Sequence, residues 1–429
     1  MTYELALSYL ASLSESRIKP GLERIRETLS VLGSPHLKFP HVLVGGTNGK
    51  GSVVSFMGAA LSSAGYRAGL FTSPHLHRFE ERIVVDSHAV TRDELPGLVQ
   101  AVKDVGVEMT YFEFATAMAL LYFARQGVDL AVLEVGLGGS WDATNETEPI
   151  LSVITSVDLD HQDWLGHTLG EVAREKSGIM RKQKSVIVGP LGPIAKAVVL
   201  RQAEVIGARV VLFGRDFSAH REATSSGLQF EGMKWSIKRL VPGLKGLFQL
   251  DNAACALAAL EVLEESGFEI SEAEVVRGIG SARWPGRFQK IDSSPPIIVD
   301  AAHNQAAVKA LIDSLDEGKQ VVWLFSALSD KNLGGMIGEM IRLGNRFVLV
   351  PLNHPRGRTV MELEDEMPEG ADIKRVFNLR QGIEEAQRLA GEEGLVVVAG
   401  SVVLAGEVLR ELEIAEEEKR RRGDGEKDD

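Results

Sequence analysis

Cysteine is almost missing from this sequence: 429 residues contain one, Cys255, set in the apolar run Ala253-Ala254-Cys255-Ala256-Leu257. A lone thiol excludes any intrachain disulfide and points to a reducing compartment, with Cys255 itself buried and inert. Long apolar runs are missing too. The longest helical one, Phe114 to Ala124, is stopped by Glu113 and Arg125, far short of the ~20 residues that cross a bilayer. The N-terminus mixes Glu4 and Glu15 with apolar residues and lacks the basic segment and apolar core of a signal peptide. A cytoplasmic protein without a membrane partner is expected. Positive charge is in deficit as well: 47 Lys and Arg face 60 Asp and Glu, a net charge of −13. That excludes non-specific binding to nucleic acid. No repeat at solenoid spacing is found.

What is present is an ordinary globular make-up, 44% hydrophobic and 25% charged, long enough for two or three domains at about 100–200 residues each. After a helical region including Leu22 to Leu32, short β-rich runs alternate with helical patterns. His41–Val44, Ala68–Phe71, Arg82–Val85, Asp129–Val135, Leu151–Val157, Ser185–Val188 and Arg209–Phe213 read as strands. Several are apolar throughout, as strands covered on both faces are. Helices such as Gly51–Ala64 and Glu113–Arg125 lie between them. The fold class is therefore α/β, with an N-terminal doubly wound domain. Pro and Gly cluster at Trp284-Pro285-Gly286 and Ser293-Ser294-Pro295-Pro296, marking a boundary. Beyond it Ile297–Val299, Val321–Phe325, Phe347–Val350, Ile373–Phe377 and Val396–Val398 form a second, smaller α/β domain. The expected division is 1–285, 286–415 and a charged tail over 416–429, a frayed helix followed by disorder.

The strongest local signal is Gly45-Gly46-Thr47-Asn48-Gly49-Lys50-Gly51-Ser52, directly after one β-run and before a helix. Glycines let the backbone curl round a phosphate, the helix N-terminus supplies positive potential, and Lys50 adds a full charge. The strict Walker A spacing fails twice, because Val44 stands at its first glycine and Gly51 precedes Ser52. A structural strand-to-helix turn is the competing reading. Next, Leu133-Glu134-Val135-Gly136-Leu137-Gly138-Gly139 ends an apolar strand. A carboxylate at that end of a parallel strand points into the crevice where doubly wound folds bind ligands, so Glu134 is a candidate metal ligand or simply a surface acid. Val157-Asp158-Leu159-Asp160-His161 ends another strand, and a helix over Glu171–Met180 carries Glu175-Lys176-Ser177-Gly178. His161 is a second candidate ligand through imidazole, or a structural histidine.

Together with Ser73-Pro74-His75-Leu76 and Asp300-Ala301-Ala302-His303-Asn304, these motifs resemble, in order and spacing, the folylpolyglutamate synthase and dihydrofolate synthase family of Mur-type ligases. The resemblance covers about Leu22 to Val408. It implies a P-loop, Mur-ligase-like ATPase domain followed by a Rossmann-like glutamate ligase domain. It further implies that Thr47, Asn48, Gly49, Lys50, Gly51 and Ser52 surround the ATP phosphates, that Arg287 reaches the phosphates, that Asn252 contacts the adenine side, and that Asp300 lines the nucleotide and the reacting centre. Two Mg²⁺ ions fall to Ser52, Ser73, Glu134 and His161, with K⁺ as a further cation. Lys176 matches a lysine carbamylated by CO₂. Lys50, Lys176 and His303 are the catalytic candidates, and His75, Arg82 and Asp142 the substrate contacts.

The reaction implied is ATP-dependent: a substrate carboxylate becomes an acyl phosphate, and the amino group of L-glutamate then displaces phosphate. The acceptor is dihydropteroate, a reduced folate, or both, and a monomer is expected. The sequence departs from the family pattern at Ser140, where an arginine is usual, at Asn332 in place of an aspartate, and at Gly400-Ser401-Val402-Val403-Leu404, which lacks the usual tyrosine. Two rival readings remain. A Mur-type ligase with another acceptor normally carries a further domain before the phosphate loop, and only 44 residues precede Gly45. A P-loop NTPase switch would hydrolyse ATP without using glutamate.

Overall fold

The computed structural model describes residues 1–14, 19–221, 227–315 and 318–425. The chain divides into two compact units, one of Met1–Gly243 with Gln249–Arg283, the other of Leu244–Phe248 with Trp284–Asp429. The division falls two residues before the expected 285. It also assigns the short excursion Leu244–Phe248 to the second unit, which no local signal announces.

The first unit is built on eight strands: β1 (His41–Gly45), β2 (Ala68–Phe71), β3 (Ile83–Val85), β4 (His88–Ala89), β5 (Leu130–Glu134), β6 (Leu151–Ile154), β7 (Ser185–Val188) and β8 (Arg209–Leu212). They lie in the order β4-β3-β2-β5-β1-β6-β7-β8. Six are parallel, and β3 and β4 add an antiparallel edge. β1 and β5 are buried at every position, as apolar strands covered on both faces must be. The chain leaves β1 toward β2 and β5 on one side and continues to β6, β7 and β8 on the other. The C-terminal end of β1 is therefore a topological switch point.

The helix Tyr111–Gln126 packs its residues 114–123 into this core. It starts at a capping box in which Thr110 accepts from Glu113 N and the Glu113 side chain returns to the Thr110 backbone, and it stops at Gly127. Three further strands, β9 (Ser218–Arg221), β10 (Leu228–Glu231) and β11 (Ser236–Leu240), form a separate antiparallel sheet that the sequence reading did not anticipate. They are four or five residues long with weak alternation, so tertiary contacts decide them. The chief one is Glu261, on the helix Phe248–Glu265, whose buried carboxylate accepts from Met233 N (2.9 Å), Lys234 N (2.9 Å) and Trp235 N (2.6 Å).

In the second unit β12 (Gln289–Ile291), β13 (Ile297–Val299), β14 (Val321–Phe325), β15 (Arg346–Leu349), β16 (Asp372–Arg375) and β17 (Leu395–Ala399) take the order β12-β13-β17-β14-β15-β16. All pairings are parallel except β12 with β13. Trp323, Phe325 and Phe347 are its largest buried side chains. The last helix is continuous from Val402 to Gly425. The expected tail begins inside this helix, whose backbone runs on to Gly425, and 426–429 lie outside the described residues. Among the described residues no helix is long and apolar enough to cross a membrane.

Glu261→Ala leaves three backbone N–H groups without their acceptor. It should cost about 1–3 kcal/mol and speed amide exchange at residues 233–235 specifically, which hydrogen-exchange mass spectrometry reads.

Candidate active site

Adjacent strands β2, β5, β1 and β6 end on one edge of the sheet. Their C-terminal ends bring together Ser73, Glu134, the loop Gly46–Lys50 and the segment Thr155–His161, which are far apart in sequence. The phosphate-loop residues sit at the switch point. Thr47 N donates to Ser156 O (2.9 Å), Asn48 N to Ser156 Oγ (2.9 Å), and Thr155 Oγ1 to Asn48 O (2.6 Å). Thr47 Oγ1 both donates to Asp158 O (3.1 Å) and accepts from Asp158 N (3.0 Å). These bonds explain why β6 ends at Ile154 rather than at Val157: Thr155 N still donates to Gly45 O of β1 (2.9 Å), and from Ser156 onward the backbone bonds turn to the loop.

Two glycines are required by this close approach. Gly46 has φ +144° and a Cβ there would strike Thr155 Oγ1, while Gly49 has φ +86° and a Cβ there would strike Asn252 Oδ1. Gly51 and Ser52 are buried in the first turn of the helix Lys50–Ser63, whose positive end faces the loop. Lys50 Nζ donates to Gly46 O (3.2 Å) and Thr47 O (3.0 Å), and Lys176 Nζ donates to the same Gly46 O (2.8 Å). Lys176 is buried. Burial and the charge of Lys50 push its amine down to about 7, against the opposing pull of Asp160, Asp158 and Glu175. Burial raises the Asp158 carboxyl.

Glu134 is buried at the end of β5 and accepts from Ser73 N (3.0 Å). His161 is exposed, with φ +51°, and its N–H donates to Asp160 Oδ1 (2.9 Å). Among the described residues no three His, Cys, Asp or Glu side chains converge on a metal position. One buried carboxylate with a hydroxyl and an imidazole on neighbouring strand ends nevertheless suits Mg²⁺. That ion keeps several waters and draws oxygen ligands from substrate phosphates.

Arg82 Nε donates to His75 Nδ1 (2.8 Å), and its guanidinium lies 5.1 Å from the Tyr111 ring centre. Burial, then the charge of Arg82, holds His75 down at about 3, so its imidazole is neutral. Tyr111 is a site neighbour that sequence reasoning missed, as were Thr155 and Ser156. Only the strand order reveals the latter pair as partners of the loop. Asp142 does not stand free to meet a substrate. It is buried and accepts from Leu137 N (2.9 Å), Thr144 N (3.0 Å) and Thr144 Oγ1 (2.6 Å), so its carboxylate is spent on folding its own loop. At Ser140, N donates to Glu175 Oε1 (2.9 Å) and the side chain fills the space over Gly178.

In the second unit Asp300 is buried at the end of β13 and accepts from Phe288 N (2.7 Å) and Ala302 N (2.8 Å). Burial raises its carboxyl, and the nearby Arg287 charge opposes the rise. His303 Nδ1 is 2.9 Å from Ala301 O, and Asn304 caps the following helix through Ala307 N. Sequence neighbours at one strand end thus meet within this unit.

Residues 44–260 match the Mur ligase middle domain family, and residues 286–402 the Mur ligase glutamate ligase domain family. The chain is 32% identical to the dihydrofolate synthase/folylpolyglutamate synthase of Bacillus subtilis over 96% of this chain and 99% of that protein. It is 34% identical to the Escherichia coli protein of the same name, over 95% and 94%. The solved E. coli FolC in complex with DHPP and ADP superposes with a TM-score of 0.88 at 32% identity, covering 97% of this chain and 99% of that one. The Yersinia pestis bifunctional folylpolyglutamate synthase/dihydrofolate synthase complexed with AMPPNP and Mn ion gives 0.86 at 29%, over 96% and 98%. Relatives more than 30% identical span nearly the whole chain, and the chain belongs to the dihydrofolate synthase/folylpolyglutamate synthase family of ATP-dependent, amide-forming Mur-type ligases.

Proposed function

We propose that this chain joins L-glutamate to the carboxylate of dihydropteroate, of a reduced folate, or of both, at the expense of ATP. The observation that carries the reading is the glycine loop at the switch point, with Lys50 and Lys176 on one carbonyl, in a chain of this family. Relatives bound to ADP with DHPP, and to AMPPNP with Mn and L-glutamate, support it. A carboxylate oxygen of the acceptor attacks the γ-phosphorus of ATP, and ADP leaves. The glutamate nitrogen, having lost a proton, attacks the acyl carbon of the acyl phosphate, and phosphate leaves with the electron pair of the broken C–O bond.

No protein nucleophile is needed, so the chain's work is positioning and charge neutralisation. Lys50 exchanges the carbonyls of Gly46 and Thr47 for phosphate oxygens. The loop N–H groups hold the phosphates and Asn252 contacts the nucleotide; within the second unit, Arg287 and Asp300 are the candidate nucleotide contacts and His303 the candidate acceptor of the ammonium proton. Ser52, Ser73, Glu134 and His161 would hold Mg²⁺, which neutralises phosphate charge when bound. His75 and Arg82 present a neutral donor and a buried cation to an anionic substrate. No described residue group is assigned to K⁺. We keep a monomer as the proposed state, and the one buried cysteine suits the cytoplasm.

Lys176 is proposed to carry a carbamate. Its buried amine, uncharged above about pH 7, is the form that attacks CO₂, and the product trades a cation beside Lys50 for an anion.

Three outcomes are expected. Incubation with ATP, Mg²⁺, K⁺ and L-glutamate should add a glutamyl unit to dihydropteroate and to tetrahydrofolate, offered separately and read by mass spectrometry. ATP hydrolysis without either product would return the reading to an NTPase switch or another acceptor. Lys50→Met should lower kcat/KM for ATP by roughly 10²–10³-fold in a coupled ADP assay. Removing CO₂ should depress activity and bicarbonate restore it, more fully above about pH 7 than below, because protonation of Lys176 blocks the reaction. An unmodified Lys176 in the intact mass, with activity indifferent to bicarbonate, counts against the carbamate.

A further inference from the structure

Gln249 opens the long helix Phe248–Glu265 one turn before Asn252, on the same face. Its side chain is completely buried. The two ends of its amide are unequal: Oε1 accepts from Asn252 Nδ2 (2.9 Å), whereas Nε2 is buried with no hydrogen-bond partner among the described residues. Asn252, in turn, places Oδ1 where a Cβ on Gly49 would be. One contact chain thus runs from a fully buried glutamine, through an asparagine, to the left-handed glycine of the phosphate loop.

A buried amide with an unmet donor is disfavoured against an apolar side chain of the same shape. The amide is explained if its oxygen does something an apolar chain does not. What the oxygen does here is restrain Asn252. One Nδ2–H is tied to Gln249, which leaves Oδ1 against Gly49 and the second Nδ2–H as the remaining donor. We propose that Gln249 is a positioning residue for the nucleotide: it holds Asn252 in the one orientation that fits the phosphate loop, so that no rotamer has to be selected when ATP or ADP binds. The inference rests on the reading of this loop as the nucleotide site. It concerns binding, not the acceptor. Preorganisation of this kind acts on affinity and leaves the chemical step alone.

The signature is a variant that is no less stable yet binds nucleotide more weakly. Gln249→Met removes both the unmet donor and the tie to Asn252. Its melting temperature should be unchanged or raised, while the Kd for Mg·ADP, measured by calorimetry on the full chain, rises about tenfold. KM for ATP should rise with it, with kcat and KM for glutamate held. Gln249→Leu supplies the same measurement if the Met variant fails to fold. Asn252→Ala and the double variant Asn252→Ala/Gln249→Met complete a cycle in which the double variant should bind ADP no more weakly than Asn252→Ala alone. Wild-type affinity in Gln249→Met overturns the proposal, as do additive losses in the double variant, or a lowered melting temperature with no change in Kd. ADP affinity is independent of glutamate transfer. A wild-type chain that binds ADP but makes no glutamyl product therefore defeats the proposed function and leaves this inference standing, whereas one that binds no ADP defeats both.

Discussion

Two lysines donate to one backbone carbonyl. Gly46 O takes Lys50 from its own loop at 3.2 Å and Lys176 from the helix after β6 at 2.8 Å, and the rest of the site follows from that crowding. Two ammonium groups this close repel, and the buried one yields: Lys176 falls to about 7, with its desolvation the larger cause and Lys50 the next. The carboxylates of Asp158, Asp160 and Glu175 moderate the fall. Lys50 therefore stands at the switch point beside an amine that gives up its proton readily, and Lys50 is the cation suited to the anionic phosphates of ATP.

The loop that bears this charge is not held by its glycines. They permit its shape, and Thr155, Ser156 and Asp158 impose it through hydrogen bonds from the neighbouring strand end. Every backbone polar group needs a partner once buried, and β6 gives up its last ladder positions to supply them. Asn252 closes the same loop from the side of the long helix. A single segment, 248–265, thus anchors two features: near its start it abuts the phosphate loop, and at Glu261 it fastens the small antiparallel sheet.

Much was readable from residues in order. Apolar runs declared twelve of the fourteen strands of the two large sheets to within a residue or two at most ends, because strands covered on both faces need no partner to declare them, whereas the short antiparallel edge strands β4 and β12 went unread. The loop from Gly46 to Ser52, Lys176 and the pair Asp300 and His303 were legible because their chemistry lies in short, ordered motifs. The short strands β9, β10 and β11 were not, since their pairing and the Glu261 anchor are non-local. Tyr111 was missed for the same reason: nothing in its neighbourhood announces a guanidinium packed on its ring. Asp142, a substrate contact by resemblance, has its carboxylate bonded within its own loop, an arrangement that rests on burial and is invisible in sequence.

The amino-acid sequence by itself determined the alternation of strands and helices, the glycine positions that alone tolerate a left-handed backbone under close contact, and the kinds of charge available for phosphoryl chemistry. These are local properties, set by dihedral freedom and side-chain type. Only the tertiary structure decided which strand ends stand side by side, that two distant lysines share one oxygen, and that Gln249 is buried with half its amide unmet. Those depend on distances between residues more than a hundred positions apart, and on the loss of water around them, which no stretch of sequence contains.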